Sequence, residues 1–205
     1  MFQDNQMDLK IDANEIIELK NADLKLRDKL IQNGQLFDGY NEEMETLHNQ
    51  NAQILNRIVD RIGYPTVEKV GKEANDAAWL VIQHSIGQPE FMRKCAALLE
   101  KAVNEDQADS RQLAYLTDRI AVSEGRQQLY GTQFDWDEKG EMSPSPFDDR
   151  EKVDQRRRSI GLNSLAEQTD IMRNQVVAEN EKPPADLKER ARQIDAWRKK
   201  AGWSN

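Results

Sequence analysis

The sequence predicts an all-α protein, a single compact bundle of about six to eight helices with one irregular polar segment. Apolar residues recur at helical spacings along most of the chain, and Gly or Pro follows most of these stretches. Residues 127–147 lack this period. Of the 205 residues, 38% are hydrophobic and 32% are charged, so each helix is expected to bury one stripe and to expose the rest.

The first two helices are predicted from the helical spacing of their apolar residues and from residues typical of helix ends. One runs from about Asn14 to Gln32, because Asp12 and Glu15 have the spacing of a capping box. Its apolar contacts are expected from Ile16, Ile17, Leu24 and Ile31. The second runs from about Asn41 to Ile62 and ends at Gly63-Tyr64-Pro65.

The third helix is predicted to be the central, most buried one. Thr66 caps a short turn through Val70-Gly71, which leads into a helix from about Lys72 to Ser85. Apolar residues cover most of its circumference, which is typical of a helix with neighbours on several sides.

Two more helices are expected before residue 126. Pro89 suits the first position of one, and a single face of that helix carries Phe91, Met92, Cys95, Leu98, Leu99 and Ala102. The other runs from about Ser110 to Ser123, and Gly125 ends it.

The following segment is predicted to be irregular. Residues 127–134 are polar and aromatic, and Asp135 to Pro146 is predicted to be a loop because it contains Gly and two prolines. Helices resume at about Asp148–Ser159 and Asn163–Glu179, and a last helix ends near Lys200.

Two regions are predicted within this fold. Residues 1–165 form a helical core domain, and residues 166–205 form a C-terminal helical extension packed on that core, with Trp197 and Trp203 docking the tail.

Composition narrows the classes of function. The formal net charge of −8 disfavours nucleic acid and anionic membrane as partners, because the long-range force is repulsive. No apolar run approaches the roughly 20 residues of a membrane span, and Met1–Gln6 lacks the features of a secretory signal. The lone Cys95 fits a reducing compartment. The expected protein is soluble and cytoplasmic, and a homo-oligomer is possible but not indicated.

His84 is the strongest candidate for chemistry. It ends the apolar third helix and follows Ala77, Leu80 and Val81 on the same face, so it is expected at the edge of the core. An imidazole there suits general acid or base catalysis. The alternative is a buried histidine that a carbonyl or a carboxylate satisfies.

Asp118 and Arg119 are adjacent charges midway along a helix whose other faces carry Leu116, Ile120 and Val122. Neighbouring residues on a helix point about 100° apart, so they do not form one simple ion pair. Asp118 could orient His84, and Arg119 could bind an anionic group. A structural ion pair between helices is the alternative.

The segment from Gln128 to Gln133 is the most distinctive polar stretch. Gln128, Tyr130 and Gln133 surround a glycine that permits close backbone approach, as a substrate-binding wall requires. The alternative is a turn whose side chains bond their own backbone.

Other polar residues are expected to have ordinary roles. His48 lies in a polar run and is expected at the surface, and Cys95 is expected in the core. Arg156-Arg157-Arg158 follows several acidic residues and is expected to form a solvated, mixed-charge face. Two histidines and one cysteine at no ligand spacing nearly exclude a structural zinc site. No spacing suggests a carboxylate-rich Mg²⁺ site and no cofactor motif is present, so neither a metal nor a cofactor is predicted.

A series of short motifs occurs in a fixed order along the chain. They are Tyr64-Pro65-Thr66, Val70-Gly71, Ala77-Ala78-Trp79-Leu80, Gln83-His84, Leu116-Thr117-Asp118-Arg119, Gly125, Gln128-Leu129-Tyr130-Gly131-Thr132-Gln133, Val153-Asp154, Arg156-Arg157 and Gly161-Leu162. The series resembles an uncharacterised bacterial family, domain-of-unknown-function family 6624, over roughly residues 50–165. The resemblance implies that His84, Asp118, Arg119, Tyr130 and Gln133 are signature residues. It implies no activity.

Two hypotheses follow for the function. In the first, a small-molecule enzyme, a hydrolase or a transferase, uses His84 as general acid or base in a pocket between the Lys72–Ser85 and Ser110–Ser123 helices. In the second, the protein is an interaction or regulatory module, and the same polar residues stabilise its fold. An exposed apolar stripe on residues 14–32 would favour the second hypothesis.

Overall fold

A computed structural model describes residues 2–34 and 41–204, and these form eight helices and one two-stranded antiparallel sheet. The predicted all-α class is confirmed. Residue contacts divide the chain into two compact units, Met1–Asp109 and Ser110–Asn205. The domain boundary expected near residue 165 stays a prediction.

The described residues of the first unit form four helices. They are α1 (Phe2–Gln32), α2 (Glu42–Ile62), α3 (Val67–His84) and α4 (Pro89–Asn104). Helix α1 packs against α3 and α2, α2 also packs against α3, and α3 contacts α4. The predicted second, third and fourth helices are therefore present, and Pro89 begins α4 as expected.

The described residues of the second unit form four helices and the small sheet. The helices are α5 (Ser110–Ser123), α6 (Arg150–Ser159), α7 (Leu165–Ala178) and α8 (Leu187–Ala201), and the strands are β1 (Phe134–Trp136) and β2 (Met142–Pro144). Helix α7 packs against β2 and α6. In the part of the chain that the structure describes, no helix has the length and the apolar character of a membrane span.

The sheet corrects the prediction of a loop from Asp135 to Pro146. Strands β1 and β2 pair in register from Phe134 with Pro144 to Trp136 with Met142. Asp137 closes the turn between them, because its Oδ1 accepts hydrogen bonds from the amides of Lys139 and Glu141 at 2.9 and 3.0 Å. Strands of three residues are too short for an alternating pattern to show in the sequence.

Helix α1 corrects a second prediction, because it begins at Phe2 and not near Asn14. Asp12 is buried inside the helix and its carboxylate pairs with Arg61 of α2, so it is not a cap. Leu24 and Ile31, which were expected to supply apolar contacts, are exposed. The buried stripe is formed by Asp12, Ile16, Leu19, Asp23 and Leu30.

The predicted turn at Val70-Gly71 is confirmed as a break inside α3. Gly71 has φ 80° and ψ 165°, which interrupts the helical backbone. The residues after it lie in the core of the first unit, as the apolar pattern indicates: Ala74, Ala77, Ala78, Val81 and Ile82 are almost inaccessible.

Replacing Gly71 by alanine is expected to destabilise the protein by about 1–3 kcal/mol, because this backbone region is accessible essentially only to glycine. No neighbouring atom lies within 4 Å of the added Cβ, so the loss would come from the backbone alone. Denaturant titration measures it. The adjacent exposed substitution Lys72→Ala should stay within about 0.5 kcal/mol of wild type. A Gly71→Ala protein as stable as Lys72→Ala would contradict the role of the glycine.

Candidate functional site

His84 lies at the end of α3 and contacts a buried carboxylate. Its Nδ1 is 2.8 Å from Oδ2 of Asp23, which belongs to the buried stripe of α1. The two residues are 61 positions apart in the chain. The packing of α1 against α3 therefore brings Asp23 to His84, and no spacing between residues in the sequence could indicate this pair.

His48 of α2 binds the same oxygen from a third helix. Its Nε2 is 3.0 Å from Oδ2 of Asp23, and its ring centroid is 5.0 Å from that of His84. The surface position predicted for His48 is wrong, since only 7% of the residue is exposed. Its neighbours in sequence are polar, but on the helix it shares a buried face with Met44 and Leu55.

The carboxylate of Asp23 is fully buried. Burial acts to raise its pKa, but the hydrogen bonds and positive charge that His48 and His84 can supply outweigh burial and hold the pKa well below its ordinary value. The second oxygen, Oδ1, is also buried, and it accepts no hydrogen bond from the described part of the chain. Within the described residues, one oxygen of Asp23 contacts both histidines and the other accepts no hydrogen bond.

The three side chains differ in access to solvent. The side chain of His84 is 32% exposed, whereas those of His48 and Asp23 are 8% and 0% exposed. We refer to Asp23, His48 and His84 as the histidine cluster. An imidazole that a carboxylate orients from one side and that solvent reaches from the other can accept or donate a proton.

Asp118 holds the segment that follows α5. It is fully buried, and its carboxylate accepts hydrogen bonds from the amides of Leu129, Tyr130 and Thr132 and from the Thr132 hydroxyl, at 2.7 to 3.1 Å. Burial raises the pKa of Asp118, and these hydrogen bonds oppose that rise. Its partners within the second unit fix the backbone of the polar segment.

The side chain of Gln128 hydrogen-bonds backbone groups of the same segment and of Ser145. Its side-chain amide donates to the carbonyls of Gln133 and Ser145 at 2.9 and 2.8 Å, and its Oε1 accepts from the Gln133 amide at 2.9 Å. Gln128 is fully buried. These contacts are the ones expected of a turn whose side chains bond their own backbone.

Arg157 corrects the prediction of a solvated basic face. It is only 1% exposed and donates to the carbonyls of Tyr130, Gly131 and Asn163 and to the Asn163 side chain. Arg156 pairs with Asp148 at 2.8 Å, and Arg158 is exposed. Of the three arginines, Arg158 is therefore exposed, Arg156 is partly exposed and Arg157 is buried.

The remaining predicted site residues lie in the second unit, whereas His84 lies in the first. Arg119 is partly buried, and burial lowers the pKa of its guanidinium. Tyr130 is partly buried, and the Gln133 side-chain amide donates to the Thr132 hydroxyl at 3.0 Å. A shared site of these residues with His84 stays a prediction. Sequence reasoning passed over Asp23 and misplaced His48.

Comparison with known proteins gives one result. A family of unknown function, DUF6624, matches residues 10–179. The chain belongs to this family. The match extends well beyond the residues 50–165 over which the motifs resemble it, so the DUF6624 region includes Asp23 and His48 as well as His84 and Asp118. No curated protein and no solved structure matches the chain.

Asp118→Asn is expected to destabilise this DUF6624 protein by at least about 2 kcal/mol, since a buried amide N–H₂ would face backbone donors and leave them unpaired. Denaturant titration measures the loss. Asp137→Asn is the matched control, because Asp137 also accepts two backbone hydrogen bonds but is open to water, which can replace them. Equal losses in the two variants would contradict the role of Asp118 as a buried anchor.

Proposed function

We propose that the protein is an enzyme, a hydrolase or a transferase, that acts on a small polar molecule and uses His84 as general acid or base. One observation carries the proposal: Nδ1 of His84 lies 2.8 Å from the buried carboxylate of Asp23 while the side chain stays 32% exposed.

The carboxylate determines what the imidazole can do. An ionised Asp23 accepts a hydrogen bond from Nδ1–H, which leaves the lone pair of a neutral ring on Nε2. No residue of the described ranges bonds Nε2 of His84. A carboxylate that fixes the tautomer and stabilises the protonated ring is the arrangement of many proton-transfer sites. In this proposal, Asp23 has the orienting role that the sequence suggested for Asp118.

We also propose a cytoplasmic location. The single cysteine, Cys95, is buried in the first unit and has no second cysteine with which to form an intramolecular disulfide. This usage supports a reducing compartment.

The proposal is tested by incubating the purified protein with a mixture of small polar metabolites and following each compound by mass spectrometry. Wild type should consume at least one compound, and His84→Asn should lose that consumption by at least about 100-fold, the scale of a general acid–base contribution. The asparagine amide can still donate to Asp23 from near the position of Nδ1, but it cannot transfer the proton.

Stability measurements separate chemistry from folding. His84→Asn should unfold within about 1 kcal/mol of wild type, whereas His84→Ala should lose about 1–3 kcal/mol because the buried Asp23 carboxylate loses a partner. The proposal fails if wild type changes no compound, or if a wild-type-dependent change persists in His84→Asn.

A second candidate function is an interaction module that binds another copy of the same chain. Leu24 and Ile31 favour it, since they lie on one side of α1 and are 41% and 38% exposed. Sedimentation of wild type should then show a concentration-dependent dimer, and Leu24→Lys with Ile31→Lys should shift it to monomer. A wild type that stays monomeric at high concentration would contradict this candidate.

A further inference from the structure

We infer that the histidine cluster binds a divalent transition-metal ion through Asp23, His48 and His84. The inference rests on the proposed function in one respect, since it names the cofactor of the same reaction centre. Binding of the ion can nevertheless be measured without any knowledge of the substrate.

The cluster brings together the ligand types that such ions prefer. Two imidazole nitrogens and one carboxylate oxygen form a common set for zinc and for non-haem iron. Each side chain offers one ligand atom, and the three atoms lie within 4.8 Å of one another. The sequence predicted no metal site because the ligands come from three helices and have no short spacing.

Two of the three distances between ligand atoms, those from the Asp23 oxygen to each histidine nitrogen, suit a common ion. Two atoms bound about 2.1 Å from one ion lie about 3.0 Å apart at a right angle and about 3.4 Å apart at the tetrahedral angle. Oδ2 of Asp23 is 2.8 Å from Nδ1 of His84 and 3.0 Å from Nε2 of His48. Side-chain rotations would allow an ion to take the place of these two direct contacts.

The charge of Asp23 supports a cation independently of the distances. Its carboxylate is fully buried, and Oδ1 accepts no hydrogen bond from the described residues. No Lys or Arg of those residues pairs with it, whereas the other buried carboxylate of the α1 stripe, Asp12, pairs with Arg61. In their neutral form the two imidazoles give this carboxylate hydrogen bonds but no positive charge, and a divalent ion would supply that charge.

Exposure indicates a site with an open coordination position. Structural zinc sites are closed by four protein ligands, while catalytic sites use three and leave one position for water or substrate. The cluster has three ligands, and solvent reaches it at His84. With an ion on Nδ1, Nε2 of His84 would carry a proton that can be donated in a hydrogen bond to substrate, and an ion-bound water would serve as the base.

Metal binding is tested on the full chain after treatment with EDTA and dialysis. Calorimetry with Zn²⁺ should give one ion per chain with a Kd of about 10 μM or tighter. Co²⁺ should give visible absorption bands of a site with nitrogen and oxygen ligands. The chain has only two histidines, so any imidazole ligand must come from the cluster.

Two substitutions test the ligands while keeping the fold. His84→Asn retains a donor near Nδ1, and His48→Gln retains one near Nε2, so each can still hydrogen-bond Asp23. Each should weaken Zn²⁺ binding at least about 100-fold, the upper end of losses seen when only an outer-shell partner is removed. Asp28→Asn, an exposed carboxylate on the same helix, should bind like wild type. Absence of a single site in wild type, or unchanged binding in both histidine variants, overturns the inference.

The metabolite assay in the presence of EDTA separates the two proposals. His84-dependent turnover that persists in a protein shown to bind no metal would overturn the metal site and leave the proposed function standing. Specific metal binding with no turnover of any compound would support the metal site and overturn the proposed function.

Discussion

The first unit depends on the contact of one buried carboxylate, that of Asp23, with two histidines. Asp23 lies on α1, and its two histidine partners lie on α2 and α3, so one oxygen atom joins three helices. Asn51 reinforces this junction, because its amide donates to the Leu19 carbonyl across α1 and α2 at 3.1 Å. A charged group in such a position must be compensated by its neighbours, and this requirement fixes how the helices meet.

The second unit uses a buried carboxylate in a different way. The Asp118 carboxylate accepts hydrogen bonds from backbone amides of one irregular segment. The Arg157 guanidinium donates hydrogen bonds to backbone carbonyls of the same segment. Gly131 allows the two sets to meet, because it has a positive φ of 63° and an added Cβ would lie 2.6 Å from a Leu165 methyl. Donors and acceptors of a segment without regular structure are thus satisfied by two side chains of opposite charge. In this unit Asp118 and Arg157 therefore stabilise the fold of the polar segment.

The sequence was sufficient to predict that most of the helices exist, but not to predict which of them contact one another. Apolar spacing and the positions of Gly63, Gly71 and Pro89 placed α2, α3 and α4 within a few residues. The same criterion failed for α1, because two aspartates occupy its buried stripe and a search for apolar residues passes over them. His48 was misplaced for a related reason: its sequence neighbours are polar, while burial depends on residues one turn away.

In the candidate site, His84 could be predicted from the sequence but its partner Asp23 could not. His84 was identified because it ends an apolar helix, a local property. Its partner is 61 residues away, and nothing local distinguishes Asp23 from the other acidic residues of α1. Pairing between helices is decided by how whole faces pack, which a local pattern does not encode.

The histidine cluster also simplifies spectroscopy of this protein. Since the chain contains only two histidines and both contact one carboxylate, every imidazole ring signal in a nuclear magnetic resonance spectrum of the untagged protein originates from the cluster. Ring nitrogen shifts report tautomer, protonation and coordination directly. The state of the centre can therefore be observed in solution without resonance assignment and without labelling any chosen position.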